Sequence, residues 1–280
     1  MPIIVENLSH SYGLGLPGEH RALCGVSFQA DPGCVTAVLG HTGSGKSTLA
    51  QHLNALITPQ SGTVSVDGLT TESADKRRAV RKKVGLVFQY PEEQIFAENI
   101  REEIAFAPRN WGLSEDEIEA VIPEAMAAVG LDLSMLDLSP FNISGGQRRR
   151  VAIASVIAAR PDYLVLDEPT AGLDASSARE LSRMLASFAE GGMGIIHITH
   201  DIELALTEAS KILVLEEGRV VSFQPPAQTA ETLCCSHIKG LVLPEVLRIS
   251  AALKERGKTE RLAWTPEQLI EEIRSAGHVI

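Results

Sequence analysis

Short apolar runs rich in β-branched residues recur along the chain, and each is followed by a turn and a helical pattern. They are Val35–Leu39, Val84–Phe88, Tyr163–Asp167 and Gly194–Thr199. Because the runs are continuous rather than alternating, they predict strands buried on both faces, as in a parallel sheet. Polar residues follow each run, and open α/β sheets bind their ligands at the carboxyl ends of their strands. The pattern predicts an α/β fold with a ligand site at one edge of a mostly parallel sheet.

Two β-rich regions and a helical insertion surround these strands. Residues 1–30 alternate weakly and indicate an antiparallel β edge at the amino terminus. Ile212–Leu215 and Arg219–Ser222 predict a closing hairpin. Residues 98–138 show helical periodicity and no strand pattern. We therefore predict an inserted helical subdomain at about 91–150.

The remaining helices follow from apolar spacing and capping residues. Ser47–Ile57 and Asp174–Ala189 are predicted helices, the second capped by its own aspartate. After Phe223, the stretch of residues 224–232 contains proline and threonine and predicts a linker. Two amphipathic helices, at Pro244–Arg256 and Thr265–Arg274, are predicted beyond it. The chain thus divides into a domain of residues 1–223 and a small helical C-terminal extension of residues 224–280.

Composition narrows the range of functions. The 280 residues carry 25 Lys and Arg against 36 Asp and Glu, a formal net charge of −11. This acidic balance argues against a nucleic-acid partner. The apolar run Val151–Ala159 is about half the length that a membrane span requires, and the amino terminus lacks the pattern of a secretory signal. The four cysteines show no zinc-ligand spacing. The chain is therefore not expected to enter a membrane by itself.

A glycine-rich turn carries the most specific chemical signal. Residues 40–48 match the pattern G-x-x-x-x-G-K-[ST] between a predicted strand and a predicted helix. Glycines let backbone amides turn toward a phosphate, and the helix that follows adds its positive end. In this pattern Lys46 meets the β- and γ-phosphates and the Ser47 hydroxyl faces Mg²⁺. The predicted nucleotide-binding residues of this turn are Gly40, His41, Thr42, Gly43, Ser44, Gly45, Lys46, Ser47 and Thr48.

Two carboxylates that end a predicted strand supply a second half of the site. Asp167 closes the run Tyr163–Asp167 and Glu168 follows directly. An aspartate beside a phosphate-binding turn can hold Mg²⁺ or its water. A carboxylate one residue further on can polarise an attacking water as a general base. Together the two motifs predict an ATPase that uses Mg²⁺.

Further motifs resemble those of one ATPase family. Residues 142–147, Asn-Ile-Ser-Gly-Gly-Gln, are similar to the L-S-G-G-Q signature of ATP-binding-cassette ATPases, with Ile143 in place of leucine. Residues 167–174, Asp-Glu-Pro-Thr-Ala-Gly-Leu-Asp, resemble the Walker B motif and D-loop of that family. Gln89 matches its Q-loop glutamine and His200 its switch histidine. The resemblance covers about residues 1–223 and implies a P-loop NTPase core.

The resemblance also implies roles for single residues. Glu168, His200 and Gln89 are implied as catalytic residues, and Ser47, Gln89 and Asp167 as Mg²⁺ ligands. Tyr12 matches an aromatic residue that stacks on adenine, with an ordinary core or edge-strand tyrosine as the alternative. The implied ligands are ATP and Mg²⁺.

The signature residues predict a shared site. Ser144 can cap a helix that continues through Val156, which makes Ser144, Gly145 and Gly146 an anion site at a positive helix end. This site lies across the helical insertion from the phosphate loop, so one chain is not expected to bring both to one nucleotide. The resemblance implies a head-to-tail dimer, in which the signature, Gln147 included, contacts the partner's ATP. The D-loop residue Asp174 either ties the two halves together, caps its own helix, or does both.

Two basic runs leave alternatives open. Lys76–Lys83 predicts a solvated helix face, with anionic lipid or nucleic acid as the alternatives. Arg148–Arg150 predicts either a solvated face or added positive potential near the γ-phosphate.

A narrower resemblance indicates what the ATPase drives. Residues 88–96, 103–108 and 111–113 resemble the ATPases of energy-coupling-factor importers, and residues 243–248 and 265–269 resemble their C-terminal extension. This implies a peripheral subunit on the cytoplasmic face of the cell membrane. Its implied partners are a second ATPase subunit, either a copy or a paralogue, an integral membrane scaffold and a substrate-binding membrane component.

The same resemblance implies finer properties of the importer. Its solute is a transition-metal ion such as cobalt or nickel, or a vitamin. A groove around Gln89–Phe96 grips a scaffold helix, and the C-terminal extension helps to hold the dimer. The alternatives are a cassette of another transporter class and a mechanical ATPase that acts on DNA or ribosomes. Only about a hundred residues without heptads separate Lys46 from Ser144, which disfavours the coiled coils of the DNA-acting type.

Overall fold

A computed structural model describes residues 1–236 and 238–276. In this part of the chain the strands are β1 (Ile3–Tyr12), β2 (His20–Ala30), β3 (Val35–Leu39), β4 (Ser61–Val66), β5 (Leu69–Thr70), β6 (Val84–Val87), β7 (Tyr163–Asp167), β8 (Gly194–Thr199), β9 (Lys211–Glu216) and β10 (Arg219–Gln224). The helices are α1 (Lys46–Leu53), α2 (Ala74–Lys83), α3 (Ile100–Asn110), α4 (Glu115–Ala128), α5 (Gly145–Ile157), α6 (Ala175–Glu190), α7 (Ile202–Glu208), α8 (Pro226–Cys235), α9 (Glu245–Glu255) and α10 (Pro266–Ser275). Short 3₁₀ turns lie at Pro91–Glu93, Leu133–Met135 and Pro140–Asn142.

The main sheet has the strand order β10-β9-β3-β8-β7-β6, with β10 antiparallel and its other strands parallel. The register makes the carboxyl ends nearly level: Leu39 lies opposite Thr199, and Asp167 lies opposite Ile198. Every residue of β3, β7 and β8 is buried, as continuous apolar runs require. The predicted α/β fold with a mostly parallel sheet is confirmed.

A second, antiparallel sheet covers one face of the main sheet. Its order is β2-β1-β4-β5, and β1 pairs with both β2 and β4. Residues 1–30 therefore form the antiparallel edge that their alternation predicts. The pattern did not predict β4, because its first residues, Ser61-Gly62-Thr63, are polar and exposed and only Val64 and Val66 are buried.

Two apolar cores lie on the two faces of the main sheet. One core joins the antiparallel sheet and α1 to one face through residues such as Leu8, Leu49 and Ile198. The other joins the helical insertion and the C-terminal helices to the opposite face, through Ile104, Ile153 and Leu233 among others. Since α1 and α5 each pack on the sheet, the motifs at their amino ends are held in place by the cores.

The insertion is helical, as predicted. Asn99 caps α3, and Ser114 and Ser144 begin α4 and α5 with reciprocal capping boxes. Each capping side chain accepts a hydrogen bond from a backbone amide that has no partner within its helix. The helix α5 contacts α3, α4 and the 3₁₀ turn at Pro91–Glu93. The signature therefore begins a helix that is anchored in the insertion.

The predicted linker at residues 224–232 is wrong, because most of it belongs to α8. Pro226 lies in the first turn of this helix, where a proline removes no helical hydrogen bond. Thr229, Ala230 and Leu233 are fully or almost fully buried, and their spacing of one and three residues is typical of a helix face. The prediction gave too much weight to the prolines and overlooked this spacing.

The helix α1 ends at Leu53, before the predicted end at Ile57. Ala55 adopts a left-handed conformation with φ of 56°, which a right-handed helix cannot continue. Among the described residues, no helix combines the length and apolar character that crossing a bilayer requires.

Candidate active site

Four of the predicted segments lie at the carboxyl ends of strands that are neighbours in the main sheet. The phosphate loop follows β3, His200 follows β8, Glu168 follows β7, and Gln89 lies in the turn after β6. Because these strands are parallel, their ends open on the same edge of the sheet. The fold thus brings together four segments that are far apart in sequence.

The phosphate loop turns sharply into α1 at Gly45. This residue has a φ of 104° and caps the helix without a side chain. A Cβ at Gly45 would collide with the carbonyl oxygen of Ala22 on β2. Only glycine fits this combination of conformation and close approach. The turn brings the loop to the amino end of α1, where its backbone amides and the positive helix end can face the same phosphate.

Lys46 is buried and connects the loop to the carboxylates. Its side chain is 7% exposed, and its ammonium donates to the carbonyl oxygens of Gly40 at 2.7 Å and His41 at 3.0 Å. The ammonium also lies 3.8 Å from Oε1 of Glu168. Burial lowers the pKa of Lys46, against the opposing effect of the nearby carboxylates. The cation is thus held where triphosphate oxygens would meet it.

A short contact joins Glu168 and His200. Glu168 has a φ of 50°, an uncommon left-handed conformation for a residue with a Cβ. Its backbone amide donates to the carbonyl of Ile198 at 3.0 Å. The Nδ1 atom of His200 lies 2.7 Å from Oε2 of Glu168; when Glu168 is ionised, that nitrogen donates a proton to it. The two side chains therefore orient each other, with the His200 ring 70% exposed.

The donor set at the strand ends fits Mg²⁺. Ser47, Asp167 and Gln89 offer a hydroxyl, a carboxylate and an amide oxygen, and Mg²⁺ prefers oxygen ligands with room for water and phosphate. Ser47 and Gln89 are exposed, while Asp167 is 7% exposed. Among the described residues no cluster of three or more His, Cys, Asp or Glu side chains could hold a metal ion. The three oxygen donors would leave coordination positions for water and phosphate oxygens, as Mg²⁺ beside a nucleotide requires.

Tyr12 lies at the end of β1 beside α1. Its hydroxyl is 3.2 Å from Oγ1 of Thr48, and its ring meets that of His10 edge-on at 4.8 Å. Because the ring is 44% exposed, part of it is available to a ligand beside the phosphate loop. The structure ties Tyr12 to the loop by a contact that the sequence did not indicate.

The signature is not joined to the phosphate loop within the chain. Ser144 Oγ accepts from the amide of Gln147, whose side-chain oxygen accepts from the amide of Ser144. In the described part of the chain, no hydrogen bond or ion pair connects residues 144–147 with residues 40–48. Asp174 caps α6 by accepting from the amides of Ser176 and Ser177, and these bonds lower the pKa of its carboxyl.

Two features of the site escaped the sequence analysis. Arg149 is 5% exposed, so it does not belong to a solvated helix face. The spacing of apolar residues in α5 gave no signal for it, because Arg148 and Arg150 also lie three and four residues before buried positions. The other feature is Gly240, where a Cβ would lie 2.6 Å from Cβ of His41. The C-terminal extension thus packs against the phosphate loop, and no sequence pattern indicates such a long-range contact.

This fold and this constellation define the class of the protein: a P-loop ATPase of the ATP-binding-cassette type. The family model described as ABC transporter matches residues 23–171. The chain belongs to the ABC transporter family and, within it, to the ATP-binding proteins of energy-coupling factor transporters. It binds ATP, with Mg²⁺ as the usual partner ion, and hydrolyses ATP in a reaction coupled to transport.

Relatives of known name cover almost the whole chain. The energy-coupling factor transporter ATP-binding protein EcfA2 of Streptococcus sanguinis is 44% identical over 260 residues, which are 92% of this chain and 93% of the relative. EcfA2 of Symbiobacterium thermophilum is 44% identical over 260 residues, which are 92% of this chain and 90% of that relative.

Solved structures show the same fold. CbiO1 of Clostridium perfringens, part of the ABC transporter complex CbiONQ, superposes with a TM-score of 0.75 at 32% identity, over 91% of this chain and 96% of its own. The cassette MJ0796, in a dimeric state with ADP and phosphate, superposes with a TM-score of 0.71 at 27% identity. The match covers 80% of this chain and 98% of that chain.

Proposed function

We propose that this chain acts as the motor of an energy-coupling factor importer, in which two cassettes close head-to-tail around ATP and move a membrane scaffold. The proposed solute is a transition-metal ion such as cobalt or nickel, or a vitamin, on the strength of the motifs at residues 88–96 and 103–108. The proposed place is the cytoplasmic face of the cell membrane, reached through the scaffold. The names of the relatives and the CbiONQ complex of the structural neighbour support an importer.

The proposed chemistry assigns one task to each residue at the strand ends. Lys46 and the loop amides hold the β- and γ-phosphates, and Tyr12 stacks on the adenine. Glu168 takes a proton from the attacking water, and His200 orients Glu168 through the 2.7 Å contact. Ser47, Asp167 and Gln89 hold Mg²⁺, which neutralises charge on the phosphates. The strained conformation of Glu168 supports this assignment, because strain of this kind collects at functional sites.

The observation that best supports the head-to-tail dimer is the open space beside the first two residues of α5. A Cβ at Gly145 or Gly146 would meet no atom within 4 Å. Neither residue has a positive φ, so the backbone does not require glycine either. Both lie in the first turn of α5, where a residue with a Cβ would be accommodated. The chain itself gives no reason for these two glycines, which supports a close approach by a molecule from outside, namely the partner's nucleotide.

A mixing experiment tests the head-to-tail arrangement. Gly146→Asp places an anion where the partner's triphosphate would lie, and Lys46→Ala removes the cation of the phosphate loop. Each variant alone carries one defective half in both composite sites and is expected to be inactive. A mixed dimer has one fully intact site, because the Gly146→Asp phosphate loop faces the signature of the Lys46→Ala chain. We expect ATPase activity to reappear on mixing, measured as phosphate release.

The control for this experiment is Ala74→Asp. It adds the same charge to the first turn of α2, where an anion is compatible with the helix dipole, and should leave activity unchanged. If the two variants stay inactive when mixed, although each is folded by circular dichroism, the nucleotide is not shared in the proposed way.

A groove near the Q-loop is the proposed seat of the scaffold helix. It has a volume of about 210 Å³, and Leu86, Phe96, Phe106, Ala107 and Val156 are part of its wall. Phe96 and Phe106 are 61% and 46% exposed, and their rings pack edge-on at 4.8 Å. The buried Glu103 accepts hydrogen bonds from the amides of Phe96 and Ala97, which fixes the rim of the groove. Two aromatic rings that remain exposed on a fixed rim support docking of an apolar helix.

Phe106→Asp is expected to release the scaffold while ATP hydrolysis by the isolated cassette persists. Phe106 is 46% exposed, so docking can bury about half of its surface, which contributes about 1 kcal/mol. The new carboxylate would also lose its hydration in the contact, so affinity should fall at least about tenfold. The measurement is recovery of the integral membrane scaffold with tagged cassette after co-expression. Leu133→Asp alters another exposed apolar residue of the insertion and serves as the control. Equal recovery for both variants would place the scaffold elsewhere.

The C-terminal extension is proposed to contribute to the dimer. Val242, Ile249 and Ile270 leave apolar surface exposed on this part of the chain. Gly240 touches the phosphate loop at His41, so contacts made by the extension reach the nucleotide site directly. Asp174, which already caps α6, is proposed to meet the partner at the centre of the dimer.

A further inference from the structure

One buried arginine joins three segments of the site. Nε and Nη2 of Arg149 donate to the two carboxylate oxygens of Glu92 at 3.0 and 2.8 Å. Nη1 donates to the carbonyl oxygens of Pro169 at 2.8 Å and Ala171 at 2.9 Å. Arg149 therefore donates four hydrogen bonds, two to Glu92 and two to the Pro169–Ala171 turn, which are separate parts of the chain.

The segments that meet at Arg149 each carry a residue of the site. Glu92 lies in the 3₁₀ turn Pro91–Glu93, three residues after Gln89 and beside the groove. Pro169 and Ala171 lie in the turn that connects Glu168 with Asp174. Arg149 itself belongs to α5, which begins at the signature. A single side chain thus touches the Q-loop turn, the D-loop turn and the signature helix.

The contact is strong and rigid. A bidentate pair of guanidinium and carboxylate fixes direction as well as distance. Although burial alone would raise it, the pKa of the Glu92 carboxyl lies below its ordinary value because Arg149 donates to it and lies beside it. Within the turn, the amide of Ala171 donates to the carbonyl of Glu168, and the amide of Leu173 donates to the carbonyl of Thr170. Arg149 adds two further bonds to this turn from outside it.

Stability alone is a poor reason for such an arrangement. A buried ion pair is often no more stabilising than apolar residues of the same volume, because both charges must lose their hydration. What the guanidinium adds is a fixed geometry between two turns. If Glu92 moves, Arg149 must carry the Pro169–Ala171 turn with it or lose hydrogen bonds in a buried place.

We propose that Arg149 is a positioning residue that couples the place of the Glu92 turn to the place of Glu168 and Asp174. Movement at the groove then reaches the hydrolytic carboxylate and the D-loop through one side chain. The inference rests on the proposed roles of Glu168 and Asp174, and it adds a residue that does not itself touch ATP.

Arg149→Lys is the most informative variant. Lysine keeps the charge, but its compact ammonium cannot hold a carboxylate in two places and two carbonyls together. We expect KM for ATP to stay near the wild-type value while kcat falls about tenfold or more, as for a misplaced catalytic group. Glu92→Gln should likewise lower kcat and leave KM unchanged. The double variant Glu92→Gln with Arg149→Lys should have a kcat little lower than either single variant, since both changes act through one contact.

Hydrogen exchange separates positioning from general loss of structure. In Arg149→Lys, amides of residues 168–174 should exchange faster, while those of the phosphate loop, residues 40–48, should be unchanged. Arg160→Gln removes another arginine–glutamate pair, with Glu124 on the surface, and should alter neither exchange nor kcat. Faster exchange throughout the chain, or a rise in KM equal to the fall in kcat, would overturn the proposal.

The outcome for Glu168→Gln distinguishes an error in the role of Arg149 from an error in the assignment of Glu168 as the base. If Glu168→Gln loses activity and Arg149→Lys keeps wild-type kcat, only the role of Arg149 is wrong. If Glu168→Gln hydrolyses ATP normally, the assignment of the base fails whatever the Arg149 variants do.

Discussion

Glu168→Gln should bind ATP with near-normal affinity and hydrolyse it about 10²- to 10⁴-fold more slowly, the usual contribution of a general base. By the relation between barrier and rate, this corresponds to about 3–5 kcal/mol. Glutamine has the shape of glutamate and retains an oxygen, but it does not take a proton from water. The packing of the Glu168 backbone against Ile198 does not involve the side chain, so the fold should persist.

The same variant should accumulate as an ATP-bound dimer. If the γ-phosphate holds the two cassettes together, its cleavage is the step that separates them. A variant that binds ATP without cleaving it should therefore stay dimeric. Size-exclusion chromatography with light scattering should show the dimer in ATP and the monomer in ADP. Glu119→Gln, which alters a surface glutamate paired with Arg101, is the control and should turn over ATP normally. Turnover of Glu168→Gln at the wild-type rate would show that another group activates the water.

The fold was predictable where the information is local. The strands β3, β7 and β8 have the predicted bounds because each is a continuous apolar run that must be buried on both faces. The phosphate loop was predictable because backbone conformation dictates its glycines. The order of the strands was not predictable from such runs, since β3 lies between β8 and β9, whose residues come more than 150 positions later.

The parts of the site that the sequence did not reveal all depend on long-range contacts. Three arginines in a row give no sign that Arg149 turns inward and that Arg150 pairs with Glu180 on the surface. The apolar spacing of α5 does not separate them, because both lie three and four residues before buried positions. The contact of Gly240 with His41 joins positions about 200 residues apart in the chain. Patterns report what a residue's neighbours in sequence require, and these contacts are set by elements that pack together only in the folded chain.

The other large effect is expected at Lys46. Lys46→Ala should weaken ATP binding about 10- to 100-fold, since a hydrogen bond to a charged group contributes about 1.5–3 kcal/mol and each 1.4 kcal/mol is tenfold in affinity. Calorimetric titration with ATP and Mg²⁺ measures this directly. Lys82→Ala, a change at an exposed lysine of α2, should leave the affinity unchanged. Equal affinities for Lys46→Ala and wild type would contradict the assigned phosphate contact.

Lys46→Arg tells whether charge or shape matters at this position. The Lys46 ammonium donates to the carbonyls of Gly40 and His41, and the side chain is only 7% exposed. A planar and larger guanidinium is not expected to reproduce both contacts in so buried a place. We therefore expect Lys46→Arg to bind ATP as poorly as Lys46→Ala. Thermal unfolding should distinguish the two variants. Burial of the Lys46 cation costs free energy, as its lowered pKa indicates, and alanine removes that cation. Arginine keeps the charge and crowds the loop, so the free energy of unfolding should be lower for Lys46→Arg than for Lys46→Ala. Binding by Lys46→Arg at the wild-type level would mean that the loop needs only a positive charge, and that its tight closure around Lys46 is incidental to holding ATP.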